Sequence, residues 1–237
     1  MMKKILLILS GLMLVVSVAF CATTSGLSGM VVLPDANVMS EGDIHATASY
    51  VDYEYGTEII PAVSYGVTES MEVALSGVIG DYDSYTLATK YQIPLDIPAK
   101  VAVGAHITQN PVNDMIYGAF AVVTLPVFEP IYETGAPGLN VSMGLQYASE
   151  PLLPVVANYK KDYIHFFAGS TLTYGPLELA IDGRLKLNNA DWRDGFSAKV
   201  SYTLPVYGVQ LFAGVNNSNL YNTASKLGWQ FGASYTF

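Results

Sequence analysis

Two acids and three bases, Glu178, Asp182, Arg184, Lys186 and Lys199, fall within 22 residues of one another in a chain with only 13% charged residues. In extended chain, residues two apart share a face. Glu178, Asp182, Arg184 and Lys186 therefore project the same way from Leu177–Leu187, and Lys199 joins the polar parity of the next segment, 196–204. Mixed charge on one wall has two chemical uses. It can be an ion-pair network that packs an interior, where an uncompensated charge is costly. It can also be an electrostatic constriction that sets which ions pass. Glu72 and Lys90 occupy the polar parity of earlier segments, as do the three histidines, His45, His106 and His165. The histidines are far apart in the chain, and no carboxylate lies at metal-ligand spacing from any of them, so neither a metal nor another cofactor is expected.

The elements that carry these residues read as strands. From Asp43 onward nearly every segment alternates apolar and polar with period 2, then breaks at Gly, Pro, Asn or Asp. In the clearest case one parity reads Leu177, Leu179, Ile181, Gly183, Leu185, Leu187 and the other Glu178, Ala180, Asp182, Arg184, Lys186. The pattern predicts strands at 43–53, 58–67, 71–80, 84–94, 100–109, 115–126, 139–148, 163–174, 177–187, 195–205, 208–217 and 227–237. Their lengths suit tilted strands that cross a bilayer, which need about 9–11 residues. The fold class is all-β, a transmembrane antiparallel up-and-down β-barrel of about twelve strands over 43–237. An alternative of fourteen adds a strand at 153–160 and one from the N-terminal segment.

A soluble sandwich would also alternate, so the placement of aromatic side chains matters. Tyr65, Tyr91, Tyr174, Tyr202 and Tyr235 each sit on the apolar parity at the end of a strand. A ring with a polar tip belongs at the headgroup level, so these five form one girdle. On that reading the even-numbered strands run toward the periplasm.

The first 22 residues stand apart. Met1-Met2-Lys3-Lys4 precedes sixteen uncharged residues, Ile5 to Phe20, the charge and length pattern of a secretory signal peptide. Cleavage could follow Cys21 or Ala22, and a lipidated Cys21 is an alternative. Losing Lys3 and Lys4 with the leader would take the net charge from −9 to −11. Such a balance argues against nucleic acid as a partner, and a single Cys excludes a disulfide framework. Residues 23–42, with Gly26, Gly29, Pro34 and Gly42, are neither leader nor strand. They are expected to form a periplasmic lead-in, or a segment tucked into the barrel mouth.

The last eleven residues, Leu227 to Phe237, put Trp229, Phe231, Ala233, Tyr235 and Phe237 on one face. This resembles the terminal strand of bacterial outer-membrane β-barrels, porin-like proteins in which that strand is recognised by the barrel-assembly machinery. The resemblance implies outer-membrane location, with lipid and that machinery as partners. The run Gly26 to Ala36, with Gly42 and Ala48-Ser49-Tyr50, resembles the opening of YjbH-type outer-membrane barrels, which are associated with exopolysaccharide production. Two functions follow. One is a narrow passive pore for ions or small polar solutes, and the other is a non-conducting accessory of envelope or exopolysaccharide assembly or export. Enzymatic action on membrane lipid is not expected, because the three histidines face the lumen and not the lipid.

Overall fold

The computed structural model describes residues 23, 26–53, 56–80, 83–109, 115–130, 136–151, 160–187, 195–204, 208–216 and 228–237. The leader and, except for Lys160, the alternative strand at 153–160 lie outside them. Twelve strands follow in order: β1 Ile44–Tyr53, β2 Gly56–Thr68, β3 Met71–Val78, β4 Ser84–Ile93, β5 Lys100–Gln109, β6 Met115–Phe128, β7 Gly138–Pro151, β8 Lys160–Tyr174, β9 Leu177–Lys186, β10 Phe196–Leu204, β11 Val209–Asn216 and β12 Gly228–Thr236. Each pairs antiparallel with its neighbours in sequence, and β1 pairs with β12, so the sheet closes as a twelve-stranded barrel. Closure leaves no edge, the condition for a sheet surrounded by hydrocarbon.

Register carries the alternation around the ring. Leu179 of β9 faces Leu172 of β8 and Val200 of β10, all on the outer surface, while Ala180 faces Thr171 and Lys199 on the inner one. The outer surface is predominantly apolar: Leu75, Leu87 and Ile181 are among the large side chains left more than half exposed. Such an apolar exterior needs a hydrocarbon solvent. Tyr65, Tyr91, Tyr174, Tyr202 and Tyr235 ring one end, and Tyr85, Tyr117, Tyr147 and Trp229 lie on the same surface toward the other. At the first end β8 turns into β9 through Gly175-Pro176, where Gly175 takes a φ of 55° that other residues rarely adopt.

The inner surface is less uniformly polar than alternation alone suggests. Phe120, Phe167 and Phe212 point inward, each over a glycine of the adjacent strand. A Cβ on Gly104, Gly144 or Gly232 would lie 2.2, 2.5 or 2.3 Å from the nearest atom of the facing ring. His106 covers Gly118 in the same way.

The hydrophobic core is in the lumen. Leu27, Met30, Val31, Val32, Leu33 and Ala36 of the N-terminal segment pack with Ala74, Ala88, Ala102, Phe120, Val122, Phe167 and Ala180 of the wall. The segment leaves β1 at the tyrosine-ringed end, where Gly42 donates to Gly66 O and Gly66 donates to Asp43 O. It then folds back on itself within the bore, with Gly29 bridged to Pro34 and Met30 N donating to Leu33 O at 3.0 Å. It adds no strand to the wall, so the fourteen-stranded alternative is not realised.

Candidate functional site

The contact between this internal hairpin and the polar wall is the site where the charged residues act. At the stem, Glu72 of β3 and Lys90 of β4 lie directly opposite each other in register and are fully buried. The Glu72 carboxylate accepts from Ser28 N at 2.8 Å and Met39 N at 2.9 Å, and from the Ser28 hydroxyl. Lys90 Nζ is 3.1 Å from Glu72 Oε1 and 3.7 Å from Asp35 of the hairpin, and it donates to Ser28 O at 2.8 Å and Ser28 Oγ at 2.6 Å. A buried ion pair holds only when its remaining donors and acceptors are met. Here the hairpin backbone meets them.

At the tip a second carboxylate does similar work. Asp182 Oδ2 accepts three consecutive backbone N–H groups, from Val31 at 2.9 Å, Val32 at 2.8 Å and Leu33 at 3.0 Å. Successive N–H groups converging on one oxygen form an anion-binding concavity. Lys199 Nζ donates to Met30 O at 2.6 Å, so the wall supplies both signs to the turn's backbone. Between the ends, Ala36 N donates to Thr124 Oγ1 at 2.8 Å, and Ser64 Oγ donates to Gly26 O. At the rim, Lys100 Nζ donates to Asn37 Oδ1 at 2.8 Å.

In a closed ring of twelve, β3 and β9 are six strands apart and so stand on opposite walls. The hairpin therefore bridges the bore, stem on β3 and β4, tip on β9 and β10. Small wall residues make room for it. Ala74, Ala88, Ala102 and Ala180 face it, and a Cβ on Gly169 would lie 2.4 Å from Met30 Sδ. Leu27, Met30, Val31, Leu33 and Met39 are each 3% exposed or less. At about 1.5–3 kcal/mol for each fully buried side chain, the five contribute roughly 7–15 kcal/mol, an upper estimate. Apolar burial thus holds the segment inside, and the polar anchors fix its position.

The charge cluster read from the sequence is divided by this arrangement. Lys199 faces Ala180 in register and so lies diagonally between Glu178 and Asp182. Asp182 and Lys199 are buried and bind the hairpin, while Glu178 and Arg184 are half-buried on the same inner parity. Lys186 pairs with His165 in the β8–β9 ladder. The histidines are spread over β1, β5 and β8: His45 faces Ser64 and Thr236, His106 faces Ala88 and Gly118, and His165 faces Gln146. Among the described residues, no three His, Cys, Asp or Glu side chains converge as a metal site. Trp229, Phe231 and Tyr235 lie on the outer surface of β12, and Phe237 N donates to Ile44 O at 2.8 Å, extending the seam with β1.

Ser28, Asp35, Ser64 and Thr124 are functional contacts that the alternation does not single out. Their signal in the sequence was indirect: Ala and Phe at inward positions where an aqueous pore would carry polar side chains.

No family model matches the chain, and no curated protein matches it. Among solved structures, the KdgM porin superposes with a TM-score of 0.61 at 11% identity, covering 82% of this chain and 99% of that one. The NanC porin gives 0.60 at 10% identity, covering 81% and 98%. The Acinetobacter baumannii outer membrane protein Omp33 gives 0.53 at 10% identity, covering 84% and 98%. At these identities the likeness is one of fold, and the fold is the closed barrel of outer-membrane porins.

Proposed function

We propose that the protein is a bacterial outer-membrane channel for ions or small polar solutes, narrow because its lumen holds residues 26–39. The observation that carries this reading is the inner wall of the barrel. Buried charged and hydroxyl groups line it, including Glu72, Lys90, Thr124, Asp182, Ser197, Lys199 and Ser201, and those that hold the hairpin do so only through hydrogen bonds and ion contacts. A wall of this kind can rehydrate where a uniformly apolar interior cannot. The porin fold supports the same reading, and it also supports an outer-membrane location reached by secretion behind a leader.

The packed lumen favours one other function, that of a non-conducting accessory of envelope or exopolysaccharide assembly. Single-channel recording of the refolded full chain in planar bilayers separates the two. The channel reading expects brief, low-conductance openings. A bilayer that stays silent, with folding verified by heat-modifiable gel mobility, supports the accessory.

A further inference from the structure

We propose that the hairpin tip, Met30–Leu33, is the moving part of a gate, latched shut by Asp182 and Lys199 and pivoting on the stem at Glu72 and Lys90; this rests on the channel reading above. The two ends of the hairpin are attached in different ways. The stem contributes a side-chain charge of its own, Asp35, to the ion pair of the wall, and it continues directly into the Gly42–Gly66 contact and β1. Moving it would break up a buried charge cluster and pull on the barrel seam.

The tip carries no charge of its own: its side chains, Met30, Val31, Val32 and Leu33, pack against the wall, and its polar contacts to the latch are backbone alone. Its three N–H groups go to Asp182 and one carbonyl goes to Lys199. When the tip lifts, Asp182 and Lys199 remain as diagonal neighbours on adjacent strands, a spacing at which long side chains reach each other. The freed backbone groups of the turn meet water in the opened bore. Both positions of the tip therefore leave every charge with a partner, which a two-state element requires. Lifting the tip clears the β8–β10 side of the lumen, where Phe167, Gly169 and Ala180 face it.

The test uses the full chain with Cys21→Ser. Asp182→Ala removes the acceptor of three N–H groups. Loss of even one hydrogen bond to a charged group shifts such an equilibrium by about tenfold or more, so open time should rise at least that much. Thr86→Ala, which removes a hydroxyl that pairs with that of Thr108 on β5 at 2.8 Å, should gate like the parent. Because Asp182→Ala could impair folding, the pair Val32→Cys with Asp182→Cys is measured on molecules that show folded gel mobility. Oxidised, it ties the tip to the wall and should stay closed. Reduced, it lacks the latch and should open as Asp182→Ala does. Equal open times for parent, Asp182→Ala and both redox states, in a protein that does conduct, would overturn the gate alone. Silence in all of them, including the reduced pair, would overturn the channel reading together with the gate.

Discussion

Replacing Glu72 by Gln removes a carboxylate that is fully buried and holds four groups at once: Lys90 Nζ, Ser28 N, the Ser28 hydroxyl and Met39 N. Gln keeps one carbonyl oxygen but turns an NH2 toward a site that needs an acceptor, so one backbone N–H loses its partner at a cost of about 1–3 kcal/mol. Lys90 keeps the Ser28 oxygens and the more distant Asp35, but loses its nearest anion. Breaking a buried pair from one side costs about 3–5 kcal/mol, and the remaining acceptors hold the total near the lower end of that range. Neither partner is solvent-exposed, so screening does not reduce it. Lys90→Met should cost a similar amount. The double variant removes both charges, leaves neither one unpaired, and should be about 2 kcal/mol or more better than the sum of the single variants. Urea titrations of the refolded protein in lipid vesicles, followed by Trp fluorescence and gel mobility, supply the cycle. Single costs below about 1 kcal/mol, or strict additivity, would refute the claim that these two side chains form one buried anchor.

Ile181 is outward and 53% exposed at the middle of β9, so Ile181→Arg places a charge in hydrocarbon and should cost about 2–4 kcal/mol of barrel stability, whereas Leu187→Arg beyond the strand end should cost far less in the same titration. Gly118→Ala drives a methyl into the His106 ring, the nearest atom 2.1 Å away, and should cost about 1–3 kcal/mol in unfolding experiments. Adding His106→Ala should restore most of that, because the three nearest atoms all belong to that ring. Deleting residues 228–237 strips β11 and β1 of their shared partner, so the product should be secreted but should lack heat-modifiable mobility in outer-membrane fractions.

The wall was legible in the sequence because burial on a closed sheet repeats with the pleat. Period 2 places Leu179 and Val200 outside and Asp182 and Lys199 inside, and β5 runs over Lys100–Gln109 as the alternation predicts. Twelve strands close without the fourteen-stranded alternative, because β7 and β8 pair continuously from Gly138 with Thr173 to Pro151 with Lys160. The segment inside the barrel was legible only as one of two alternatives for residues 23–42, beside a periplasmic lead-in, and its contacts were not legible at all. Residues 23–42 have no period, and nothing local says that Ser28 meets Glu72 or that Val31 meets Asp182, 151 positions away. What could have suggested an occupant was a violation of the pattern. Ala74, Ala88, Ala102, Phe120, Phe167 and Ala180 stand on the inward parity, where an open pore would favour hydration. Of the charges, Glu72, Lys90, Asp182 and Lys199 bind the internal segment.

The central claim is that residues 26–39 occupy the lumen, and it can be observed without any conductance. In methyl-labelled protein refolded into detergent micelles or nanodiscs, the Met30 ε-methyl should give nuclear Overhauser contacts to Gly169 on β8, since a Cβ at Gly169 would lie 2.4 Å from Met30 Sδ. The amides of Val31, Val32 and Leu33 should also exchange slowly with solvent, because each donates to Asp182. A Met30 methyl with no contact to β8, together with tip amides that exchange at the rate of unstructured chain, would contradict the account.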